Sequence, residues 1–579
     1  MLDSRAKEVL RIGDKLFSDK QSINSLHQEL ALNFYPERAT FTSTRAEGEE
    51  FNDHNFSSYP IMARRELGNL ISSNTRPRDR RWLSIHVDDE ELDEEIPERQ
   101  FLERLTDIQW RAMYDRPAMF VDATKQTDHD FATFGNGVLK YGLNTAADGL
   151  LFRNYHLRDC AWSVNAEGKI DHLHRNWNPT ARQLKEHFGE DKVSKEVREA
   201  CEKDPEKCFP CRHVVMPTRL YHYADKKRGK AFPFVSLYVE RESQTMLEEV
   251  GLTYFCYVVP RWQTMSDSAY GVSMATGILL PDGRTLQVVM RTLREAGEKY
   301  VNPPLIAISD AIRGDIAMYP GGVTTADIEY DERLGEVLRP LAQDRGGYPI
   351  AAEVAAALRE DIRAGFFLDK IQLPEVSKTM TAFEVRRRLE EHIRSSAPIF
   401  EPIIEDYNDP LCDGVFKLLL DNGAFPVAEM PRSLQDRDIK FKFRSPLADL
   451  ADQSEAEIYI ETRDRILFPL VEASQSVPGL MAELENVDFT QATRDALQSS
   501  GWKAKWMKPR EAVEAARAAQ AEQQEAEGAM ADIANVGATA EQAGKGIDAL
   551  ATAGASAQPK PAAPAPQRPT ARPRAGAAR

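Results

Sequence analysis

Two amphipathic stretches separated by an insert that can continue neither of them constrain this chain more than any other feature. Leu286, Val289, Met290, Leu293 and Tyr300 recur at helical spacing, and Pro303-Pro304 ends the run. Residues 303–349 are short, irregular and punctuated by Gly and Pro, as in Pro320-Gly-Gly322 and Gly346-Gly347. A second stripe follows, with Val354, Leu358, Ile362 and Phe366 on one face. A breaker-rich loop spans Leu368–Thr379, and a third helix is expected from about Thr381, carrying Val385, Leu389, Ile393 and Phe400. The order is helix, small insert, helix, loop, helix.

The remainder is read around that frame. A length of 579 residues predicts roughly three to five structural units. A hydrophobic share of 42 % is enough for a real core. The formal net charge is -17, which argues against wrapping nucleic acid by neutralising its phosphates but allows nucleic acid to slide past. No window approaches the ~18–20 apolar residues that a membrane span needs, and Met1-Leu-Asp-Ser-Arg-Ala-Lys-Glu8 has no apolar signal core. The expectation is a large, soluble, acidic protein made inside a cell, with no membrane partner.

Along the chain, residues 4–35 look helical up to Pro36, and 60–74 look helical again. The basic turn Asn74–Arg81 leads into a short strand at Trp82–Val87. Asp88 to Glu98 holds eight acidic residues, which fits a solvated face. Helix is expected over 99–135. Strands at Val138–Leu143, Ala161–Val164 and Ile170–Arg175 follow, the last two joined by the turn Asn165–Gly168. Thr180-Ala-Arg-Gln183 fits a capping box, and Gly189 closes that helix. Residues 212–223, 231–240 and 252–260 are β-rich. Residues 405–510 read as largely helical, with a short strand at Ile439–Phe443. From Ser556 the tail has six Pro and five Lys or Arg with no acid, too little apolar surface to order itself. The fold class is multidomain α+β, rich in helix.

Chemistry-bearing motifs are sparse. Cys201, Cys208, Cys211 and His213 include one Cys-x-x-Cys hook, whereas a zinc site pairs two such hooks. A loop with incidental thiols is the competing reading, and no metal or other cofactor is expected. No Gly-Lys is followed by Ser or Thr, so a Walker A loop is missing. Gly271-Val-Ser-Met-Ala275 nearly matches a nucleophile elbow, but no His–Asp pair can be assigned to Ser273. Asp128-His129-Asp130 could be a ligand cluster or a solvated helix face, and the second is the expectation. The chain reads as a structural protein and not an enzyme.

Several stretches, in order, resemble the portal proteins (head-to-tail connectors) of short-tailed bacteriophages. They are Leu70–Leu83, Phe134-Gly-Asn-Gly137, Pro260-Arg-Trp262, Tyr270-Gly271, Leu280–Leu286, Ala296–Pro304, Met380–Glu391 and Ser445–Ala448. The resemblance spans roughly 1–515 and leaves out the tail and the Cys201–His213 cluster. It implies N-terminal helices and an α+β wing over 1–281, stem helices at 282–301 and 351–366, a clip at 302–350 and a tunnel loop at 367–380. It further implies a wing return with a long helix at 381–444 and a helical crown at 445–515. An Ala-rich helical extension (516–555) and a disordered basic tail (556–579) lie outside it.

By that resemblance, twelve copies form a ring at one capsid vertex, assembled in the host cytoplasm. Double-stranded DNA passes through the ring, and the terminase large subunit and then a tail adaptor dock on it. Major capsid and scaffolding proteins surround it. Lys370 and Lys378 are the candidate DNA-facing groups, with Arg359 and Arg363 as alternatives and a plain solvated surface equally open. Leu286, Val289, Leu293, Val354, Leu358, Ile362 and Phe366 are candidates for stem and ring packing, or for a core within one subunit. A tail adaptor and a soluble enzyme with a dispersed active site are the competing readings.

Overall fold

The computed structural model describes residues 4–46, 48–78, 80–87, 96–221, 232–266, 268–301, 305–307, 338–340, 347–371, 391, 399, 401–435, 439–443, 459–474, 489–499, 506–507, 512–513, 515–520 and 522–523. Residues Met1–Trp506 cluster as one compact unit and Met507–Arg579 as another. In the second unit, 515–520 are helical. The acidic run at 88–95, most of the insert, Lys378, most of the expected helix after Thr381, residues 445–458 and the tail lie outside the described residues.

The expected single stretch over 4–35 is two helices, α1 (Ser4–Asp19) and α2 (Gln21–Phe34). They meet at Lys20, which stays right-handed and keeps main-chain bonds to Leu16 O and from Asn24 N, so the boundary is slight; its fully buried amine reaches main-chain oxygens elsewhere. Nζ donates to Leu157 O at 2.5 Å and to Cys160 O at 2.6 Å, beneath the Trp162 and Tyr270 rings. Next come α3 (Tyr59–Thr75) and strand β1 (Leu83–Val87). The helix expected over 99–135 is likewise two, α4 (Ile96–Tyr114) and α5 (Phe120–Phe134). They are separated by a turn in which Pro117 follows Arg116 and Met119 has φ +54°.

The β-rich part follows the local signals closely. Strands β2 (Leu139–Leu143) and β3 (Leu150–Asn154) pair antiparallel. Strands β4 (Cys160–Val164) and β5 (Ile170–Trp177) form the expected hairpin, with Ala161 opposite His174. Its turn is closed by Asn165 Oδ1, which accepts from the N–H groups of Glu167 and Lys169, and by Gly168 at φ +80°. Helix α6 (Ala181–Phe188) carries the expected capping box, Thr180 with Gln183. Helix α7 (Lys195–Lys203) was not expected, although Ser194 caps it. Strands β6 (Cys211–Pro217), β7 (Phe234–Glu240) and β8 (Thr245–Leu252) complete a five-stranded sheet ordered β4-β5-β6-β7-β8. Strand β9 (Tyr257–Val258) adds to β2, giving a second sheet ordered β3-β2-β9. Helix α1 lies on the larger sheet, with Ala6 and Leu10 against Val239, and Val9 against Val214 and Leu237.

A π-helical turn (Ala275–Leu279) opens into α8 (Leu280–Val301). Within the insert, β10 (Leu305–Ala307) pairs antiparallel with β11 (Leu338–Pro340). Helix α9 (Gly347–Gly365) packs back on α8, and a single turn, α10 (Leu368–Ile371), follows it. Helix α11 (Asp409–Asp421) comes after a π-helical turn at Ile404–Asn408. Strand β12 (Ile439–Phe443) then pairs antiparallel with β1, Leu83 opposite Phe443. Helices α12 (Phe468–Ser474) and α13 (Phe489–Ser499) close the described part of this unit. Among the described residues no helix is long and apolar enough to cross a membrane.

One continuous core links α2, α3, α4, α5, the smaller sheet, α8, α9 and α11. Phe34 of α2 meets Phe366 edge-on at 5.6 Å between centroids, and a Cβ on Gly283 would come within 2.9 Å of the Phe34 ring. The helix pair is thus rooted in the body by close approach at its base.

Candidate functional site

Helix α5 carries Asp128-His129-Asp130 at its centre, and the expectation of a solvated face is wrong for all three. They are buried because arginines from three separate segments reach them. Arg38 donates to Asp130 Oδ2 at 3.0 Å and to Asn154 Oδ1 at 2.5 Å. Arg64 donates to Phe34 O at 3.0 Å, lies 3.8 Å over the Tyr35 ring, and places Nη1 3.2 Å from His129 Nδ1. Arg76, from the basic turn after α3, pairs with Asp128, donates to Asn408 Oδ1 at 2.7 Å and stacks 4.3 Å over the Tyr407 ring.

The electrostatics follow from that burial. Burial pushes the Asp128 and Asp130 carboxyls upward, and Arg76 and Arg38 oppose the shift. Burial and the Arg64 charge lower His129 to about 4, so its ring is neutral at pH 7 and accepts at Nδ1. Each member of the cluster faces an oppositely charged or hydrogen-bonding group, so the arrangement holds segments together, although Asp128 Oδ2 and Asp130 Oδ1 are buried without a hydrogen-bond partner among the described residues. The available signal was the rest of the helix. Phe120, Ala123, Phe131, Ala132 and Phe134 flank the charges on the buried length of the helix, while Asp122, Lys125 and Gln126 make its one exposed side.

The glycine-bearing stretches meet in a second junction. Gly135 ends α5 at φ +69°, and a Cβ there would lie 2.5 Å from Ser273 N and 2.6 Å from Val272 C. Asn136 exchanges two bonds with Gly271: its Nδ2 donates to Gly271 O and its Oδ1 accepts from Gly271 N, both at 2.8 Å. Trp262 N donates to Gly135 O at 2.9 Å. Ser273 is buried, and its hydroxyl donates to Thr133 O at 2.7 Å, which makes it a joint between α5 and the segment that leads into α8. Gly135→Ala is expected to cost roughly 2–4 kcal/mol from left-handed strain plus overpacking. A urea midpoint equal to the wild type's would show that the junction is slack.

The four Cys and His residues do not converge. Cys201 bonds Ala181 O, Cys208 is exposed beside Glu206 O, and Cys211 is buried with its thiol pushed up to about 12. Both ring nitrogens of His213 are engaged, Nδ1 2.5 Å from the Tyr257 hydroxyl and Nε2 2.9 Å from Ser236 Oγ. Among the described residues no three His, Cys, Asp or Glu groups stand together as a metal site.

The helix pair divides the packing candidates. Leu286, Ile362 and Phe366 are buried within this chain, and Val289, Leu293 and Leu358 pack partly against the same core. Val354 is exposed, and so are Val288, Val301 and Ile350, the first two at 64 % and 89 %. Of the basic candidates, Arg359 rests on Met290 Sδ at 3.4 Å, and Arg363 Nε donates to Asp369 at 2.6 Å. Lys370 is exposed at the end of α10, with its amine 5.6 Å from the Phe367 ring centre.

The model of the family described as bacteriophage head to tail connecting protein matches residues 6–507. The chain belongs to this family. Two relatives agree with it. The portal protein of Salmonella phage epsilon15 is 23 % identical over 529 residues, covering 89 % of this chain and 91 % of its own length. The probable portal protein of Bordetella phage BPP-1 is 25 % identical over 490 residues, covering 80 % and 82 %. The arginine cluster and the glycine junction, which sit inside the matched span, are therefore parts of a head-to-tail connector's framework. Relatives of this kind are structural portal proteins, and the Ser273 environment agrees with that role.

Proposed function

We propose that this connector assembles as a ring, of twelve copies, at one capsid vertex of the virion. DNA enters through its channel during packaging and leaves during ejection. The observation that carries the reading is the α8/α9 pair, rooted in the body at Leu286, Ile362 and Phe366 while Val288, Val301, Ile350 and Val354 remain outside. In this reading 1–281 is the wing, 282–301 and 351–366 the stem, 302–350 the clip, 367–380 the tunnel loop, 381–444 the wing return and 445–515 the crown. The terminase large subunit docks at the clip and is later replaced by a tail adaptor, with capsid and scaffolding proteins around the rim. Each copy carries -17, so ring contacts must be apolar or locally complementary to overcome self-repulsion. Negative-stain microscopy of the purified protein is expected to give rings of about twelve around a central channel. A monomer or dimer at high concentration overturns the ring.

An acidic channel with sparse bases lets DNA slide without the counterion release that would anchor it. Lys370 suits that role better than Arg363, whose charge Asp369 already offsets. Lys378 belongs to the same loop by sequence. Replacing Lys370 and Lys378 together by Ala is expected to leave rings intact and to alter DNA packaging or retention. Unchanged packaging and retention in infected cells would remove both lysines from the channel.

A further inference from the structure

A cleft of about 700 Å³ lies beside α11, bordered by β9 on one side and β12 on the other. The register shows which main-chain groups face it. Tyr141 N donates to Cys256 O, Leu139 is opposite Val258, and Gly137 N donates to Pro260 O. Residues 256, 258 and 260 therefore spend their main-chain groups on β2, and Tyr257 and Val259 turn theirs away from it. Across the cleft, Ile85 N donates to Thr106 Oγ1, so β12 bonds β1 through Lys440 and Lys442. The main-chain groups of Ile439 and Phe441 then point outward. Tyr257 and Val259 are nearly inaccessible, yet their outward N–H and C=O groups have no main-chain partner among the described residues. Buried main-chain groups in that state are costly, and an open edge is a template for another strand.

The cleft wall adds a charge condition. Asp406 is paired with Arg261, and Asp413 with Lys417. Glu405 and Asp409 on the same wall have no ion pair among the described residues. Lys169 and Lys440 also line the cleft. Burial, Glu405 and Asp413 together hold the Asp409 carboxyl up to about 6, a repulsion that an incoming cation relieves.

We infer that this cleft receives an extended segment of a second copy of this chain, which pairs with the β9 and β12 edges and sets a Lys or Arg against Glu405 and Asp409. The inference rests on the ring reading and names one of its contacts. Head-to-tail strand addition supplies every copy with both a cleft and an inserted segment, and closes as a ring. Charge complementarity at this wall supplies what strongly acidic copies need to approach one another.

Val259→Pro in the full-length protein tests it, because proline removes the outward N–H and places its ring on the cleft side. Assembly is followed by sedimentation and microscopy, and folding by the thermal midpoint. The assembled fraction is expected to fall about tenfold or more at concentrations where the wild type is assembled, with a midpoint lowered by the lost Val259 packing but still well above the temperature of the assembly assay. Rings at the wild-type level overturn the assignment. If Val259→Pro unfolds the protein, Asp409→Arg decides: lost rings with an unchanged midpoint support the cleft, and normal rings overturn it. A wild type without rings overturns the ring reading and this contact with it, whereas rings in wild type and variants overturn this contact alone.

Discussion

Lowering the pH from 7.5 to 5 is expected to remove most of this protein's stability, read as a large fall in the urea midpoint by tryptophan fluorescence. The cause is a set of buried neutral histidines. Burial, helped by nearby cations, lowers His27 and His156 to about 3 and His129 to about 4, and burial alone lowers His172 to about 4. His174 and His213 lie well below the ordinary value for the same reason. His172 and His174 face each other, Nε2 to Nε2, at 2.8 Å, so one ring must accept. Above about pH 6.5 such groups are neutral both folded and unfolded. Below it the unfolded chain takes up protons that the folded one refuses, so stability is lost as pH falls from about 6.5 toward 3–4. At pH 5 the loss is on the order of 2 kcal/mol per histidine, and several together rival the roughly 5–15 kcal/mol of a typical domain. The raised carboxyls Asp128, Asp130 and Asp409 act in the opposite direction and offset part of it. A midpoint that holds level between pH 7.5 and 5 contradicts the neutral-histidine account.

Arg76→Ala is the substitution expected to do most damage, a loss of roughly 3–5 kcal/mol. It strands Asp128 without its cation inside the body, leaves Asn408 Oδ1 without its donor and uncovers the Tyr407 face. Arg38→Ala is expected to cost less, because that guanidinium is partly exposed and Asn154 still serves Asp130. The check is a double-mutant cycle by urea unfolding. Adding Asp128→Ala to Arg76→Ala should recover part of the loss, since the stranded charge is then removed. Full additivity of the two substitutions would mean that they do not act on one another.

What was legible in the sequence was local. The Asn165–Gly168 turn, the Thr180–Gln183 capping box and the stripe that defines α8 each depend on residues within a few positions of one another. The strand at Ile439–Phe443 was legible as a strand, but not its pairing with Leu83–Val87, which no local signal encodes. Asp128-His129-Asp130 was misjudged because charge next to charge in sequence implies water. The partners that make burial tolerable, Arg38, Arg64 and Arg76, lie far away along the chain. The break at Met119 was missed for a related reason: a left-handed residue overrode good helical periodicity. The apolar stripes along α8 and α9 were legible in the sequence, and only packing could divide them into buried Leu286, Ile362 and Phe366 and exposed Val354.

The pairing of β1 with β12 also orders events during synthesis. Leu83 meets Phe443, Arg76 meets Asn408, and Gln109 Nε2 donates to Cys412 O. Three separate sutures thus join the early part of the chain to a stretch made hundreds of residues later. The body cannot be sealed until residue 443 has left the ribosome, and the α8/α9 pair emerges while its socket is still open. Exposed strand edges and buried arginines must wait through that interval, so the nascent chain is most vulnerable to aggregation before the last suture is tied.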